Sequence, residues 1–370
     1  ERKNTMVGSQ RLSVELYLNP LKQITQGLKR IVREPYGCFE QVSSSVYPNI
    51  YALSLLQQLR GDESLQRKTQ EFLISGYKKL AAYEIKGGGF DWYGKPPAHE
   101  VLSAFGLIEF IEMKPFIAVD QKMIERTQNW LLSKKDGRGG YHQGAGRYTF
   151  SGNRESINNA YITYALSVAG ERAEIELEFQ KAYQEVLGTK DPYRMAIVAL
   201  TAKNLNKLEQ LESLKLRLKE ILPMVIEDKK GLAEGSITNS DGRSLRNETL
   251  AWIALVFQLE NKASPELTAC MEALVKSADQ GYYGSTQATG LALKAATGYY
   301  QLFDRDMRVK KGKKMELWLD GQLLIRDTTL VADSLSRMFL TELPAGKHKI
   351  SMRLENLDYA VASYRFNYLT

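Results

Sequence analysis

The chain has 370 residues, 44% of them hydrophobic and 25% charged, with a net charge of +7. No apolar run approaches the ~20 residues that a bilayer span requires. The lysines and arginines are scattered along helical stretches such as 66–68 and 215–219, without the aromatic interleaving of a nucleic-acid surface.

The opening Glu1-Arg2-Lys3 carries neither Met nor leader, so the chain reads as a fragment or a mature piece. Leu12, Val14, Leu16 and Leu18 then alternate with polar residues, the period-two pattern of a strand. From 21 to 305 the pattern turns helical, with a loose repeat of about 50 residues. Amphipathic helices with charged outer faces are expected at 21–33, 64–84, 120–134, 172–187, 206–225 and 265–277. Between them come helices apolar almost all round, at 42–58, 98–112, 156–169, 192–203, 246–259 and 286–303. A helix apolar on every side is enclosed by others. Six enclosed and six amphipathic helices in alternation predict an inner and an outer ring, a mainly α fold of the α/α toroid type.

Glycine and aromatic residues recur in the loops that lead to inner helices. Examples are Gly87-Gly88-Gly89-Phe90-Asp91-Trp92, Gly139-Gly140-Tyr141 and Gly281-Tyr282-Tyr283-Gly284. Glycine permits tight turns, and the rings can plug one face of the toroid. Beyond 305 strands return. Met315, Leu317 and Leu319 alternate before Asp320-Gly321, a hairpin turn signal. Ile350, Met352 and Leu354 alternate again, and Ala362 to Leu369 is rich in β-compatible residues. The chain thus divides as 1–20, 21–305 and 306–370, one small β-domain split in sequence with the helical middle inserted into it.

Of the two cysteines, Cys270 falls on the apolar stripe Leu267–Leu274 and reads as a buried structural thiol. Two cysteines make no disulfide framework. His99, His142 and His348 are far apart and no Cys or His pair has ligand spacing, so no metal is expected. Cys38 is different. In Pro35-Tyr36-Gly37-Cys38-Phe39-Glu40-Gln41 a thiol precedes a glutamine by three residues. The Cys38 thiol can attack the Gln41 side-chain amide, expel ammonia and leave an internal thioester. A thiolate is a good leaving group, so an amine or hydroxyl that reaches the Gln41 carbonyl is captured covalently. Gly37 lets the backbone turn tightly beside the ring.

This segment resembles the thioester motif of the alpha-2-macroglobulin and complement family, and Phe39 in its middle is similar to the bacterial members. Tyr47-Pro48-Asn49-Ile50-Tyr51-Ala52-Leu53 is similar to the family's first helix after the thioester, and Ser285-Thr286-Gln287-Ala288-Thr289 to a segment near the end of the same domain. The resemblance implies a toroidal thioester domain inside a β-sandwich of the CUB type. It also implies a longer chain with neighbouring macroglobulin domains, periplasmic or surface-anchored if bacterial and secreted otherwise. Its activity would be a single-use covalent trap for proteases, not turnover catalysis, with no cofactor besides the Cys38–Gln41 bond itself. A complement-like tag for surface hydroxyls is the alternative within this chemistry.

A thioester needs shielding from water, and Tyr36, Phe39, Trp92, Tyr93 and Tyr141 are the candidate shield or, equally, loop-anchoring core aromatics. Glu40 either orients Gln41 or complements the helix dipole. The family's hydroxyl-reactive members use a histidine to accept the acyl group; His142 stands close to that spacing, and His99 is its competitor. His348 reads as a turn residue. Toroids also carry cyclases and glycoside hydrolases. No Asp-x-Asp-Asp cluster supports the first, and Asp91, Glu100 and Asp136 are unpaired candidates for the second.

Overall fold

Asp62, His99, Asp120, Asp191 and Ser264 each stand just before a helix and accept a first-turn backbone N–H through their side chains. Such caps satisfy donors that a helix start leaves open, and so fix where it begins. The computed structural model describes residues 11–17, 22–59, 62–152, 154–227, 232–279, 281–309, 314–328, 337–343, 347–356 and 361–367. Among these residues the helices are α1 (Lys22–Ile31), α2 (Phe39–Gln58), α3 (Glu63–Ala81), α4 (Glu100–Met113), α5 (Gln121–Leu132) and α6 (Glu155–Val168). They continue as α7 (Glu176–Leu187), α8 (Pro192–Asn204), α9 (Leu208–Glu227), α10 (Gly242–Gln258), α11 (Pro265–Ser277) and α12 (Thr286–Val309).

The even-numbered helices form the inner ring. α2, α4, α6, α8 and α10 pack in succession, and each also packs on the odd-numbered helix that follows it. α12 closes the circle. Its Gly290 lies so near the Tyr47 ring of α2 that an added Cβ would stand 3.0 Å from Tyr47 Cε1, and Gln258 of α10 donates to Ala295 O at 2.6 Å. Inner helices are buried almost all round, whereas α5 buries only the stripe Met123, Ile124, Thr127 and Leu131. The architecture is an α/α toroid with six inner and six outer helices.

The axis of the ring is filled. Tyr161 and Tyr164 of α6 and Tyr193 of α8 meet Trp252 of α10, the nearest ring centroids 5.4 Å apart. Lys294 of α12 lies 5.9 Å from the Trp252 centroid and pairs with Glu112 of α4, which also accepts from Tyr51 of α2. Burial alone would depress the Lys294 pKa, but Glu112 beside it raises it. One ion pair, with aromatic neighbours from three inner helices, α2, α6 and α10, thus sets how those helices register.

The remaining strands form two antiparallel sheets. β1 (Arg11–Tyr17) lies between β4 (Arg337–Glu342) and β6 (Val361–Asn367), with Val14 opposite Phe339 and Tyr364. β2 (Lys314–Leu319) lies between β3 (Gln322–Asp327) and β5 (Ile350–Glu355). Asp320 and Gly321 take φ of 51° and 82° in the two-residue link from β2 to β3, the left-handed pair such a hairpin demands. Leu18, Leu369 and the Ala345-Gly346 turn lie outside the described residues. By compactness the chain separates into Ile24–Tyr299 and a second unit of Glu1–Gln23 with Tyr300–Thr370. Among the described residues no helix is long and apolar enough to cross a membrane.

Lys294→Ala leaves Glu112 without its cation and is expected to cost about 3 kcal/mol. Lys294→Met combined with Glu112→Leu should recover most of that loss. Urea denaturation of the two variants and the parent checks both.

Candidate functional site

The site is built on the first turn of α2. Cys38 is the residue just before the helix, in extended backbone, and its N–H donates to Gln41 Oε1 at 3.0 Å. The two residues form a reciprocal capping box, so each side chain is folded onto the other's backbone. This closure depends on Gly37. Its φ is +91°, and a Cβ there would stand 2.8 Å from Gln41 Cδ. Glycine is required on both counts.

The turn is fixed from both sides. Tyr83 Oη donates to Gly37 O at 2.7 Å and Lys79 Nζ to Pro35 O at 2.5 Å. Phe39 N donates to Trp92 O at 2.9 Å. The Phe39 ring is fully buried between Tyr83 and Phe90, and Gly106 of α4 makes room for it, since a Cβ there would meet Phe39 Cζ at 2.7 Å. Glu40 ties two loops to the helix, accepting from Trp92 Nε1 at 2.9 Å and from Thr149 Oγ1 at 2.6 Å. Bracing the glycine-aromatic loops is a role beyond the two read from the sequence.

The expected shield does not form as a group. Phe39 and Trp92 are buried floor residues. Tyr36 stands beside Gln41 on the wall of a shared cavity of about 90 Å³, but is 70% exposed. Tyr93 is 53% exposed and is joined to Tyr148 by a 3.0 Å hydroxyl contact. That bond, Tyr148 itself and the nearby Cys38 push the Tyr93 pKa up to about 12. The Tyr83 hydroxyl is pushed up too, by burial first and then by Cys38. Tyr141 belongs elsewhere: it is buried with its N–H on Asn159 Oδ1 and its hydroxyl 3.2 Å from Thr163. Cys38 is 7% exposed, while the Gln41 side chain faces outward. The sulfur is covered while the Gln41 side chain is exposed.

Neither histidine contacts the pair. His99 is buried, its Nδ1 accepts from Leu102 N, and its ring lies 5.0 Å from Trp92. Burial holds its pKa below the ordinary imidazole value. It is a helix cap beneath Trp92, one layer from the chemistry. His142 is exposed and its backbone N–H bonds Lys134 O at 2.8 Å. No hydrogen bond or ring contact among the described residues joins its side chain to Cys38 or Gln41. His348 pairs with Asp320 at the β2–β3 turn. Asp91 and Asp136 accept N–H groups of their own loops, and Glu100 accepts from Gly144 N, so these carboxylates brace loops and do not face one another. Cys270 is buried, and burial raises its thiol pKa.

A second cavity of about 220 Å³ also borders Gln41. Its walls include Glu40, Ser43, Tyr47, Phe105, Phe150, Ser240, Ser285 and Gln287. Just behind them the buried Glu248 of α10 accepts from Ser240 Oγ at 2.6 Å and Ser285 Oγ at 3.0 Å. Burial pushes its pKa up to about 7 against the pull of those hydroxyls. Sequence reading picked out Ser285 to Gln287 but missed Tyr83, Thr149 and Glu248. Thr149 lies 109 positions from its partner, and no local pattern marks such a pairing.

A toroid carrying a Cys–Gln pair at the first turn of an inner helix defines a thioester domain. The A-macroglobulin TED domain profile matches residues 13–299, and the chain belongs to that family. It is 26% identical to ovostatin of Gallus gallus over 319 residues, 80% of this chain. The chain spans 22% of the length of that relative. Among solved structures it is similar to a Salmonella alpha-2-macroglobulin reacted with methylamine, with TM-score 0.59 and 16% identity, covering 98% of this chain and 22% of that one. It is also similar to native Escherichia coli alpha-2-macroglobulin from domain MG7 to the C-terminus, with TM-score 0.58 and 15% identity, covering 98% and 54% of the two chains.

Gly37→Ala is expected to cost about 1–3 kcal/mol through backbone strain and to drive Gln41 off the Cys38 N–H. Denaturation midpoints and the Cys38 amide resonance report the two effects.

Proposed function

We propose that Cys38 and Gln41 form an internal thioester and that the chain is the reactive domain of an alpha-2-macroglobulin-like protease trap. The observation that carries this reading is the approach of the Gln41 side chain to Cys38 over a glycine that alone leaves room for it. Closing the bond requires the thiol to replace the amide nitrogen at a carbon the capping box already holds beside it. When a nucleophile later attacks, negative charge develops on a sulfur at the N-terminus of α2. The helix dipole favours charge of that sign there. The product is a stable amide or ester, so each molecule acts once.

Amines are the favoured targets, chiefly lysine side chains of an attacking protease, because among the described residues no imidazole contacts Gln41 to accept the acyl group first. The outward-facing acyl carbon also sets a requirement. Tyr36 stands beside it without covering it, so cover falls to neighbouring macroglobulin domains of the longer protein, which part when a protease cuts elsewhere. The β strands are read as part of a CUB-like domain, and the whole as an extracytoplasmic protein.

In a direct test, methylamine is added to the folded protein. A thiol on Cys38 should become titratable while Gln41 gains a methylamide, found by peptide mapping. Cys38→Ala and Gln41→Ala should each lose the reaction and keep the helical circular dichroism. Cys38 freely titratable before any amine is added would contradict the proposal.

A further inference from the structure

Among the described residues the buried Glu248 carboxyl accepts hydrogen bonds from hydroxyls and makes no ion pair. Its Oε1 accepts two serine hydroxyls, Ser240 and Ser285, and both serines line the cavity that Gln41 borders. Its Oε2 has no partner within hydrogen-bond geometry, and neither has the amide nitrogen of Gln287, a residue 6% exposed on the same cavity wall. Burying polar atoms unpaired is costly. Helix capping accounts for part of the cluster only: Ser285 Oγ accepts from Ala288 N at 3.0 Å, which needs no carboxylate behind it. A cavity with an acid on its rim, two hydroxyls aimed at a buried acid and an unspent amide donor is equipped to receive a proton and a polar reactant. Its apolar floor, Tyr47, Phe105 and Phe150, suits the methylenes of an amine's arm.

We propose that this cavity is the entry slot of the attacking amine and that Ser285 passes the amine's proton to Glu248. The proposal rests on the thioester reading and adds positioning residues to it. The amine nitrogen attacks the Gln41 acyl carbon and becomes positively charged. Ser285 Oγ takes one proton from that nitrogen as its own proton moves to Glu248 Oε1. The carbon–sulfur bond breaks, its electron pair stays on Cys38, and the proton on Glu248 returns through solvent to give the free thiol. The balance is one amine and one thioester consumed, one amide and one thiol formed. The unpaired Gln287 N–H is placed on the same wall to donate to oxygen charge in the slot.

The relay works only with Glu248 ionised. Its facing groups are the hydroxyls of Ser236, Thr238, Ser240 and Ser285 and the Tyr193 phenol of α8, whose own pKa burial and then Glu248 raise. With Glu248 near 7, the rate per free amine should fall as pH drops through that value.

Release of the Cys38 thiol by methylamine is followed across that pH range, with each rate divided by the free-amine concentration. Glu248→Gln should react at least about 100-fold more slowly than the parent at alkaline pH and lose the step near neutrality. Ser285→Ala should behave alike, while Ser285→Thr keeps the rate and the step. A cap without a relay would change stability and leave the pH step in place. Equal profiles for Glu248→Gln and the parent, or for Ser285→Ala and Ser285→Thr, would overturn the relay while leaving the thioester intact. A Cys38 thiol free in the untreated parent would instead overturn the thioester itself.

Discussion

The fold places the Gln41 side-chain amide against the backbone N–H of Cys38, and the rest of the domain holds that approach. The Gln41 side chain can lie over the backbone of residues 37 and 38 only because residue 37 has no Cβ. Its positive φ removes β-branched and most other residues from consideration a second time. Everything rigid nearby then acts on this turn. Tyr83 holds the Gly37 carbonyl, Trp92 holds the Phe39 N–H, and Phe39 is locked in a pocket cut by Gly106. A turn tethered at three points within the ring resists the drift that would separate Gln41 from Cys38, which is how a scaffold would supply proximity to the proposed bond.

The toroid suits this chemistry because it separates cover from reach. Inner helices are buried almost completely, so the first turn of α2 has its sulfur inside the ring. Its next residues emerge at the end of the ring, where the glycine-aromatic loops gather. Glu40 fastens two of those loops to α2 and thereby shapes the cavity into which Gln41 faces. The Lys294–Glu112 pair at the axis keeps α4 and α12 in register. Since α12 begins at Thr286, just after Ser285, the same register positions the far wall of the cavity.

Much of this was legible in the sequence. Helices apolar on all sides could only be inner ones, and their alternation with amphipathic partners gave the ring. Period-two runs marked the strands, and Asp320-Gly321 the hairpin. Cys38, Gln41 and Gly37 stood out because they lie together, three residues on one turn. What failed was non-local. Tyr141 was grouped with the shield from the likeness of its loop to that of Trp92, yet each such loop packs on its own inner helix, and Tyr141 bonds to Asn159 and Thr163 of α6. His142 sits at a fitting distance along the chain while its side chain stands in solvent. Glu248 carries no motif at all. Its significance lies in two serines from two other segments meeting it, at separations of 8 and 37 residues.

The measurement that bears most directly on the central claim is the intact mass of the native protein before any nucleophile is added. An internal thioester makes the chain lighter than its sequence by one ammonia. A mass equal to that of the sequence, in protein never heated or exposed to amines, would contradict it.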